Sequence, residues 1–256
     1  MRLALRFVLC LTAVIALVCS QASAQGLEEY RFFLSGSAGI AQPNTDAFSN
    51  PITFTLFAEA GNFEADYVLD SGPVYDGGVT VRLWRNLGAG VNVSKSRTTD
   101  TAAIEASLPH PFFFGQHRQL TGTAPGLRHE EVAVHLHGAF IWMRGWAVIS
   151  GFGGPTFFNF KQDLVQSIRH AEVGFPFDAV TFIGHGATRV SESKVGFHAG
   201  ADAAFYLASS GVWEHVGVGA LVRYSRAEVD VSAGRGDSVT LELGGLQFAG
   251  GIRVRF

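Results

Sequence analysis

The last eleven residues of this chain alternate between two kinds of side chain without interruption. One face is almost entirely apolar and the other is polar or small: Leu246, Phe248, Gly250, Ile252, Val254 and Phe256 against Gln247, Ala249, Gly251, Arg253 and Arg255. Successive side chains of a β-strand point to opposite faces, so this pattern predicts a strand with lipid on one side and a polar interior on the other. Such a strand is typical of a transmembrane β-barrel.

The N-terminal segment predicts export from the cytoplasm. Arg2 and Arg6 form a basic start, residues 7–18 form an apolar run, and Ala22-Ser23-Ala24 provides a small-residue cleavage site. The apolar run is shorter than the roughly 20 residues that a helix needs to span a bilayer. We therefore predict a signal peptide over residues 1–24, cleaved near Ala24, and a single outer-membrane β-barrel domain over residues 25–256.

Composition narrows the possible classes of protein. Cys10 and Cys19 both lie in the predicted signal peptide, so we expect no disulfide and no cysteine-ligated metal in the mature protein. The formal net charge of -3 argues against a nucleic-acid partner. The chain is 47% hydrophobic, yet no second apolar run approaches the roughly 18 residues of a membrane helix. This combination favours a barrel, with a secreted β-sandwich as the alternative.

Turn residues divide the mature chain into candidate strands. We predict eight of them, at residues 30–42, 74–84, 87–96, 129–143, 146–161, 194–207, 214–231 and 239–256. The connections alternate in length: 85–86, 144–145 and 208–213 are short, whereas 43–73, 97–128 and 162–193 are long. Short periplasmic turns and long extracellular loops are typical of an outer-membrane barrel. We therefore predict an all-β, closed, antiparallel, up-and-down transmembrane barrel.

Residues 52–69 leave the number of strands open. Ile52, Phe54 and Leu56 alternate with polar residues, and Phe63 and Tyr67 continue an alternation after a turn. This segment is either a hairpin that projects above the membrane from the first long loop or a pair of further spanning strands. We favour the hairpin and hence eight strands, with ten as the alternative. Both numbers are even, as in bacterial single-chain barrels.

The tryptophans flank the predicted short connections. They are Trp84, Trp142, Trp146 and Trp213, and we expect them to form a ring at the periplasmic interface. Indole rings prefer that depth because they have an apolar body and a polar N–H. Trp84 is the exception, because its parity within the strand points it into the barrel.

Strand parity also defines an inward-facing polar set. It consists of Arg82, Glu131, His135, His137, His198, Asp202, Arg223, Arg253 and Arg255. An eight-stranded barrel is just wide enough for its own side chains to fill it, so we expect these groups to form a hydrogen-bonded lumen network. Within it, we expect His198 to lie opposite Arg223 and Asp202 to balance the arginine charge.

The final strand contains one irregularity. The parity of its apolar residues changes between Leu243 and Leu246. An extra residue in one strand of a pair shifts parity in this way, so the change predicts a β-bulge at Gly244-Gly245.

Taken together, these features resemble the OmpA-type outer-membrane β-barrel domain family. The resemblance rests on the signal peptide, the alternating strands, the turn sequence Arg82-Leu83-Trp84-Arg85-Asn86-Leu87-Gly88 and the ending Gly250-Gly251-Ile252-Arg253-Val254-Arg255-Phe256. It covers nearly all of the mature chain and implies insertion among outer-membrane lipids and lipopolysaccharide. We expect no peptidoglycan-binding domain after the barrel, because the chain ends with the last predicted strand. The resemblance also implies that the barrel assembly machinery recognises the terminal strand through Phe248, Ile252, Val254 and Phe256.

Three functional classes remain open at this stage. We favour a structural or surface-interaction barrel with a side-chain-filled lumen and an extracellular ligand of unknown identity. The alternative is a narrow channel for small or apolar solutes. A lipid-modifying enzyme is the third class, but the chain has no Gly-x-Ser-x-Gly motif, and we assign no catalytic residues. We assign no cofactor or metal, because a lumen hydrogen-bond network accounts for His135, His137 and His198.

Overall fold

The computed structural model describes residues 30–256 apart from 46, 209–210 and 232–238, so the predicted signal peptide lies outside the described residues. Nearly all of the described chain is β-strand, and no helix in it is long and apolar enough to cross a membrane. One turn of 3-10 helix, Val212–Glu214, precedes the ninth strand. The strands are β1 (Phe32–Pro43), β2 (Ala47–Leu56), β3 (Glu59–Val68), β4 (Gly72–Trp84), β5 (Leu87–Pro109), β6 (His117–Arg144), β7 (Ala147–Glu172), β8 (Val180–Tyr206), β9 (Val216–Val231) and β10 (Val239–Arg255).

Eight of the ten strands close into a ring. Each pairs antiparallel with two neighbours, in the order β1, β4, β5, β6, β7, β8, β9, β10 and back to β1. At the closure, Phe33 of β1 lies opposite Arg255 of β10 on one side and Thr80 of β4 on the other. A closed ring satisfies the backbone hydrogen bonds of all its strands. The predicted antiparallel up-and-down barrel of eight strands is confirmed.

The other two strands, β2 and β3, form a hairpin outside the ring. They pair with each other, and β3 also pairs with the distal part of β5, where Val68 lies opposite Thr101 and Asn62 opposite Ser107. Residues 52–69 therefore project beyond the barrel, as we predicted, and the ten-stranded alternative is wrong.

Four neighbouring strands are much longer than a membrane requires. β5, β6, β7 and β8 contain 23, 28, 26 and 27 residues, whereas about 9–11 residues of a tilted strand cross a bilayer. The segments 97–128 and 162–193, predicted as long loops, are therefore mainly strand, and only residues 110–116 and 173–179 connect them. The loop prediction is wrong here because alternate residues remain buried on one face beyond the ring.

The parts of these strands beyond the ring fold together with the β2–β3 hairpin. We call this region the head; it comprises residues 47–68, 98–128 and 163–193 and the distal ends of β9 and β10. One apolar core fills it and continues along β7 to Phe158 and Phe160 of the ring. Its larger members in the head are Phe48, Ile52, Phe63, Tyr67, Ile104, Leu108, Leu120, Leu127, Leu164, Val165, Val229, Leu241 and Leu243. Burial of this apolar surface makes the head a packed structure rather than a set of loops.

Polar contacts also join the two sides of the head. The Val165 N–H donates to the Tyr67 hydroxyl at 2.6 Å, and the Asn50 amide donates to the Val165 carbonyl at 3.3 Å. The Tyr67 ring stacks on Phe48 with centroids 4.3 Å apart. Burial raises the pKa of Tyr67 to about 12, so its hydroxyl stays protonated. The backbone groups of β7 thereby keep hydrogen-bond partners inside an apolar core.

The final strand is continuous, and the predicted bulge is wrong. Gly244 lies opposite Arg226 and Gly245 opposite Ser225, in unbroken register with β9. Leu243 faces inward, on the same face as Gln247, because the interior changes from polar in the ring to apolar in the head. The inner face of β10 is therefore the same along the whole strand. The parity of the apolar residues changes only because this face carries polar residues in the ring and apolar residues in the head.

Candidate functional site

The structure places the predicted inward set inside the ring. Seven of its members are at most 9% exposed: Arg82, His135, His137, His198, Arg223, Arg253 and Arg255. The side chains of Glu131 and Asp202 are 12% and 19% exposed. Burying so many charged and polar groups requires hydrogen-bonded partners for them.

The middle of the lumen is crossed by an ion pair that sequence analysis missed. Arg223 of β9 donates to Asp76 of β4 at 2.7 Å, and both side chains are 1% exposed. Asn92 donates to the other oxygen of Asp76, and Gln247 accepts from Arg223. Asp76 shares the parity of Thr80 and Arg82, and that parity was the signal that could have identified it.

The expected partners of Arg223 lie elsewhere. The β8–β9 register sets Gly200 opposite Arg223 and His198 opposite Ser225, so the expected pairing of His198 with Arg223 is wrong. Asp202 instead accepts from Arg253 of β10, with Nε 3.1 Å from Oδ1. Arg253 also donates to Ser37 of β1 at 2.8 Å. Two separate ion pairs therefore link strands that are not neighbours in the ring.

The histidines form a chain of shared hydrogen bonds through hydroxyl groups. His135 contacts Ser94 with its Nε2 and Thr156 with its Nδ1, each at 2.9 Å, and Thr156 continues to His198 at 2.8 Å. These four side chains are at most 3% exposed, which closes them to a substrate approaching from solvent. His137 contacts Thr80 at 3.1 Å. In the described part of the chain, no three His, Cys, Asp or Glu residues are arranged to hold a metal ion.

The end of the lumen near the short connections is closed by arginine. Arg255 lies over the Tyr206 ring at 3.9 Å and donates to the carbonyls of Glu214 and Gly145. Arg82 lies 3.8 Å from the Met143 sulfur. These contacts span the ring at this end.

The opposite end of the lumen, below the head, has its own polar layer. His129 contacts Gln162 at 2.7 Å and Glu131 at 3.2 Å, and the Gly244 N–H points at Glu131. Burial would lower the pKa of His129, but the hydrogen bond and charge of Glu131 outweigh it, and the pKa is raised above its usual value of 6.5. Burial raises the pKa of the neighbouring Asp100 carboxyl. This layer lies where the interior changes from polar to apolar; along β7 the head core continues past it to Phe160 and Phe158, which lie opposite Glu131 and Ala133.

Little space remains between the layers. A cavity of about 60 Å³ lies beside Thr80, His137 and Arg253. A cavity needs at least about 10–15 Å³ to hold one water molecule, so this cavity has room for a few waters. The ring interior is therefore filled mainly by its own side chains.

The outer face of the ring is apolar. Its exposed side chains include Leu34, Val93, Leu136, Phe140, Ile149, Phe157, Val195, Phe197, Phe205, Val218, Val222, Phe248 and Ile252. Phe256 is 56% exposed, and Val254 is half-buried on the same face of β10. Together they form a continuous apolar band around an interior that holds the buried charges, the reverse of a water-soluble protein. Inside the ring, a smaller apolar cluster is also buried near the short connections: Ala139, Ile141, Val148, Ala204 and Tyr206.

All four tryptophans are exposed at the end of the ring with the short connections. Trp84, Trp142, Trp146 and Trp213 are 43% to 63% exposed. Trp84 faces outward, contrary to its parity, because the β4–β5 register shifts between Arg82 and Trp84. A bulge reverses the face on which the next side chain lies.

A second candidate site lies at the far end of the head, where three turns meet. We call it the aromatic tip and define it as Phe57, Phe112, Phe113, Phe114, Phe175 and Phe177. The Phe112 and Phe177 rings, from different turns, are 5.5 Å apart. Sequence analysis did not identify these residues, although three consecutive phenylalanines in a segment predicted as a loop were a usable signal.

Comparison with known proteins gives only similarities of structure. No family model and no curated protein matches the chain. One similar solved structure is Neisserial surface protein A (NspA), at 10% identity and a TM-score of 0.44, over 88% of this chain and 97% of that one. Another is Ail, the attachment invasion locus protein of Yersinia pestis, in complex with the heparin analogue sucrose octasulfate, at 11% identity and a TM-score of 0.36, over 87% and 99%. Any function therefore has to follow from this chain's own side chains.

Proposed function

We propose that this chain is an integral outer-membrane barrel with a closed lumen, whose role is to hold the head at the cell surface for interaction with other surfaces or molecules. The observation that carries the proposal is the inverted distribution of side chains. The ring is apolar outside and filled inside with paired charges such as Arg223–Asp76, which suits a lipid surrounding and not water. The head has the opposite distribution, with an apolar core and a polar outer surface, which suits contact with water.

A basic rim supports the proposed orientation. Five basic residues lie on the outer face of β5–β8 just beyond the apolar band: Lys95, Arg97, Arg128, Lys161 and Arg189. Within this cluster, Lys95 pairs with Glu130 at 2.8 Å and Arg189 pairs with Asp163 at 2.8 Å. The hydrogen bond and charge of Lys95, with the charges of Lys161 and Arg97, lower the pKa of Glu130. Excess positive charge at this height fits the phosphates of outer-leaflet lipid or lipopolysaccharide.

The proposal also covers assembly. The outward row of β10, with Phe248, Ile252, Val254 and Phe256, offers the barrel assembly machinery an apolar strand that ends in an aromatic side chain. This strand also closes the ring, by pairing with β1.

Cysteine labelling in whole cells tests this function. The mature chain has no native cysteine, so single cysteines can be introduced at Gln116 and Ser167 in the head and at Asn86 in a short turn. We expect an impermeant thiol reagent to label Gln116→Cys and Ser167→Cys in intact cells, and Asn86→Cys only after lysis. The reverse pattern, or recovery of the protein outside the outer-membrane fraction, would contradict the proposal.

A further inference from the structure

The aromatic tip exposes an unusual amount of apolar surface to water. Phe114 and Phe175 are 86% and 84% exposed, Phe112 is 65% exposed, and Phe113 and Phe57 are 50% and 48% exposed. Other phenylalanines of the head, including Phe63 and Phe48, lie in its core at 3% and 9% exposure. Contiguous exposed apolar patches of this kind mark interaction surfaces.

Buried polar contacts hold the turns of the tip in place. Arg118, whose side chain is 4% exposed, binds Glu172 of β7 through both guanidinium Nη atoms and donates to the carbonyls of Phe177 and Pro109. The Nδ1 atom of His110 accepts from the N–H groups of Phe112 and Phe113, each at 3.1 Å. The turns are thus fixed to the head, and the phenylalanine rings are held outward.

The third turn is tied to the same assembly. The Gly115 N–H donates to Glu59 at the start of β3 at 2.9 Å, and His117 contacts the Ala60 carbonyl at 3.1 Å. Phe57 has a φ of 51°, a left-handed conformation that directs the β2–β3 turn back on itself. Three separate turns therefore present phenylalanine at one end of the head.

We propose that the aromatic tip inserts into the acyl-chain surface of a second lipid bilayer apposed to the cell, so that the protein tethers two membranes. This inference rests on the proposed function, because it needs the head to point away from the membrane that holds the ring. From Val93 in the apolar band to Pro109 at the end of β5, the strand is about 50 Å long at ~3.3 Å per residue, and a strand tilt of roughly 40° makes this a height of about 40 Å. The tip therefore lies well away from the bilayer around the ring.

The chemistry of the tip favours lipid over a protein partner. Its exposed rings are all phenylalanine, whereas protein interfaces concentrate their binding energy in Trp, Tyr and Arg. Across residues 57–58, 110–116 and 173–179, Asp178 is the one Asp, Glu, Lys or Arg in the sequence. Rings projecting from separate turns are also convex, and a fluid acyl surface can accommodate them without a preformed pocket. Binding should therefore not depend on the charge of the lipid.

A vesicle-capture experiment tests the inference. Sucrose-loaded proteoliposomes carrying the full mature chain are mixed with light, fluorescent, protein-free phosphatidylcholine vesicles and then sedimented. We expect the wild type to pull down the light vesicles, and the combined variant Phe112→Ser, Phe114→Ser, Phe175→Ser to capture at least tenfold fewer. Ile183→Ser is the matched control, because Ile183 is 61% exposed on the head outside the three turns, and it should capture like the wild type.

Two further readouts keep the outcomes distinct. Adding anionic lipid to the light vesicles should leave capture unchanged; capture that requires anionic lipid would overturn the inference. Clustering of proteoliposomes without capture of protein-free vesicles would also overturn it, in favour of a second copy of the chain as partner.

Labelling at Gln116→Cys in the same proteoliposomes reports whether the ring is inserted with the head outside. Correct insertion without capture refutes the tether alone, whereas failure to insert refutes the proposed function.

Discussion

The ring interior and the head core lie on the same face of the same strands, yet their chemistry is opposite. On β9, Arg223 faces the lumen, while Val229 on the same face lies in the head core. On β10, Gln247 and Arg253 face the lumen, while Leu243 lies in the head core. The surroundings explain the difference. The outer face of the ring contacts lipid and is apolar, so the polar side chains lie inside; the outer face of the head contacts water and is polar, so the apolar side chains lie inside. Strand parity thus determines which side chains point inward. Whether those side chains are polar or apolar depends on whether lipid or water surrounds that part of the strand.

The largest effect should come from breaking an ion pair in the lumen. Asp76→Ala leaves Arg223 buried without its carboxylate, which should destabilise the ring by about 3–5 kcal/mol. Urea unfolding in lipid vesicles, followed by tryptophan fluorescence, measures the change. Asp163→Asn is the control, because it breaks an exposed pair with Arg189 and should cost less than about 1 kcal/mol. An equal loss of unfolding free energy in the two variants would show that the buried ion pair contributes no more to stability than the exposed one.

The double variant Asp76→Leu, Arg223→Leu sharpens the same comparison. It removes both charges and leaves no buried ion unpaired, so it should recover most of the stability that Asp76→Ala loses. If the double variant is as unstable as the single one, the lumen requires these polar groups for another reason.

An intermediate effect should come from a cavity in the head. Leu164 is 2% exposed in the head core, and Leu164→Ala should cost about 2–5 kcal/mol. We expect hydrogen exchange to increase in the distal parts of β5 and β7, with the ring strands unchanged, because the ring keeps its own closed hydrogen-bonded ladder and its buried ion pairs. Ser167→Ala, at an exposed position of β7, should leave exchange unchanged. Faster exchange throughout the ring would mean that the two regions unfold as one.

The smallest effect should come from the layer between the two regions. The raised pKa of His129 means that its contribution to stability is complete below 6.5 and is lost as the pH rises through the folded-state value. The raised pKa of Asp100 acts in the same direction. The urea midpoint of unfolding of the wild type should therefore decrease as the pH is raised from about 6 to about 8, a range that begins below the reference pKa of histidine and ends above it. His129→Gln should reduce this dependence; a variant with an unchanged pH profile would contradict the assignment.

The sequence predicts the ring well because each of its strands repeats one simple rule. Alternation in residues 246–256 identifies the outward row of β10, and the short turns identify the order of the strands. The head could not be predicted in the same way, because its inner face carries Ile104 and Leu108 where the ring carries Asn92 and Ser94. The ion-pair partners also escaped prediction, since Asp76 meets Arg223 across the lumen and no spacing along the chain encodes that distance. The contacts of the tip also escaped prediction, because they join turns about 60 residues apart in the sequence.

Conductance in a planar bilayer tests the central claim, that the ring is closed by its own side chains, most directly. Purified wild-type protein, shown by co-flotation to be inserted in the lipid, should produce no steady open-channel current, because three layers of buried polar contacts span the lumen. The layers are centred on Arg255, on the Arg223–Asp76 pair and on the His129–Glu131 contact. Reproducible open-channel steps from the wild type would contradict the account and would favour the narrow channel instead.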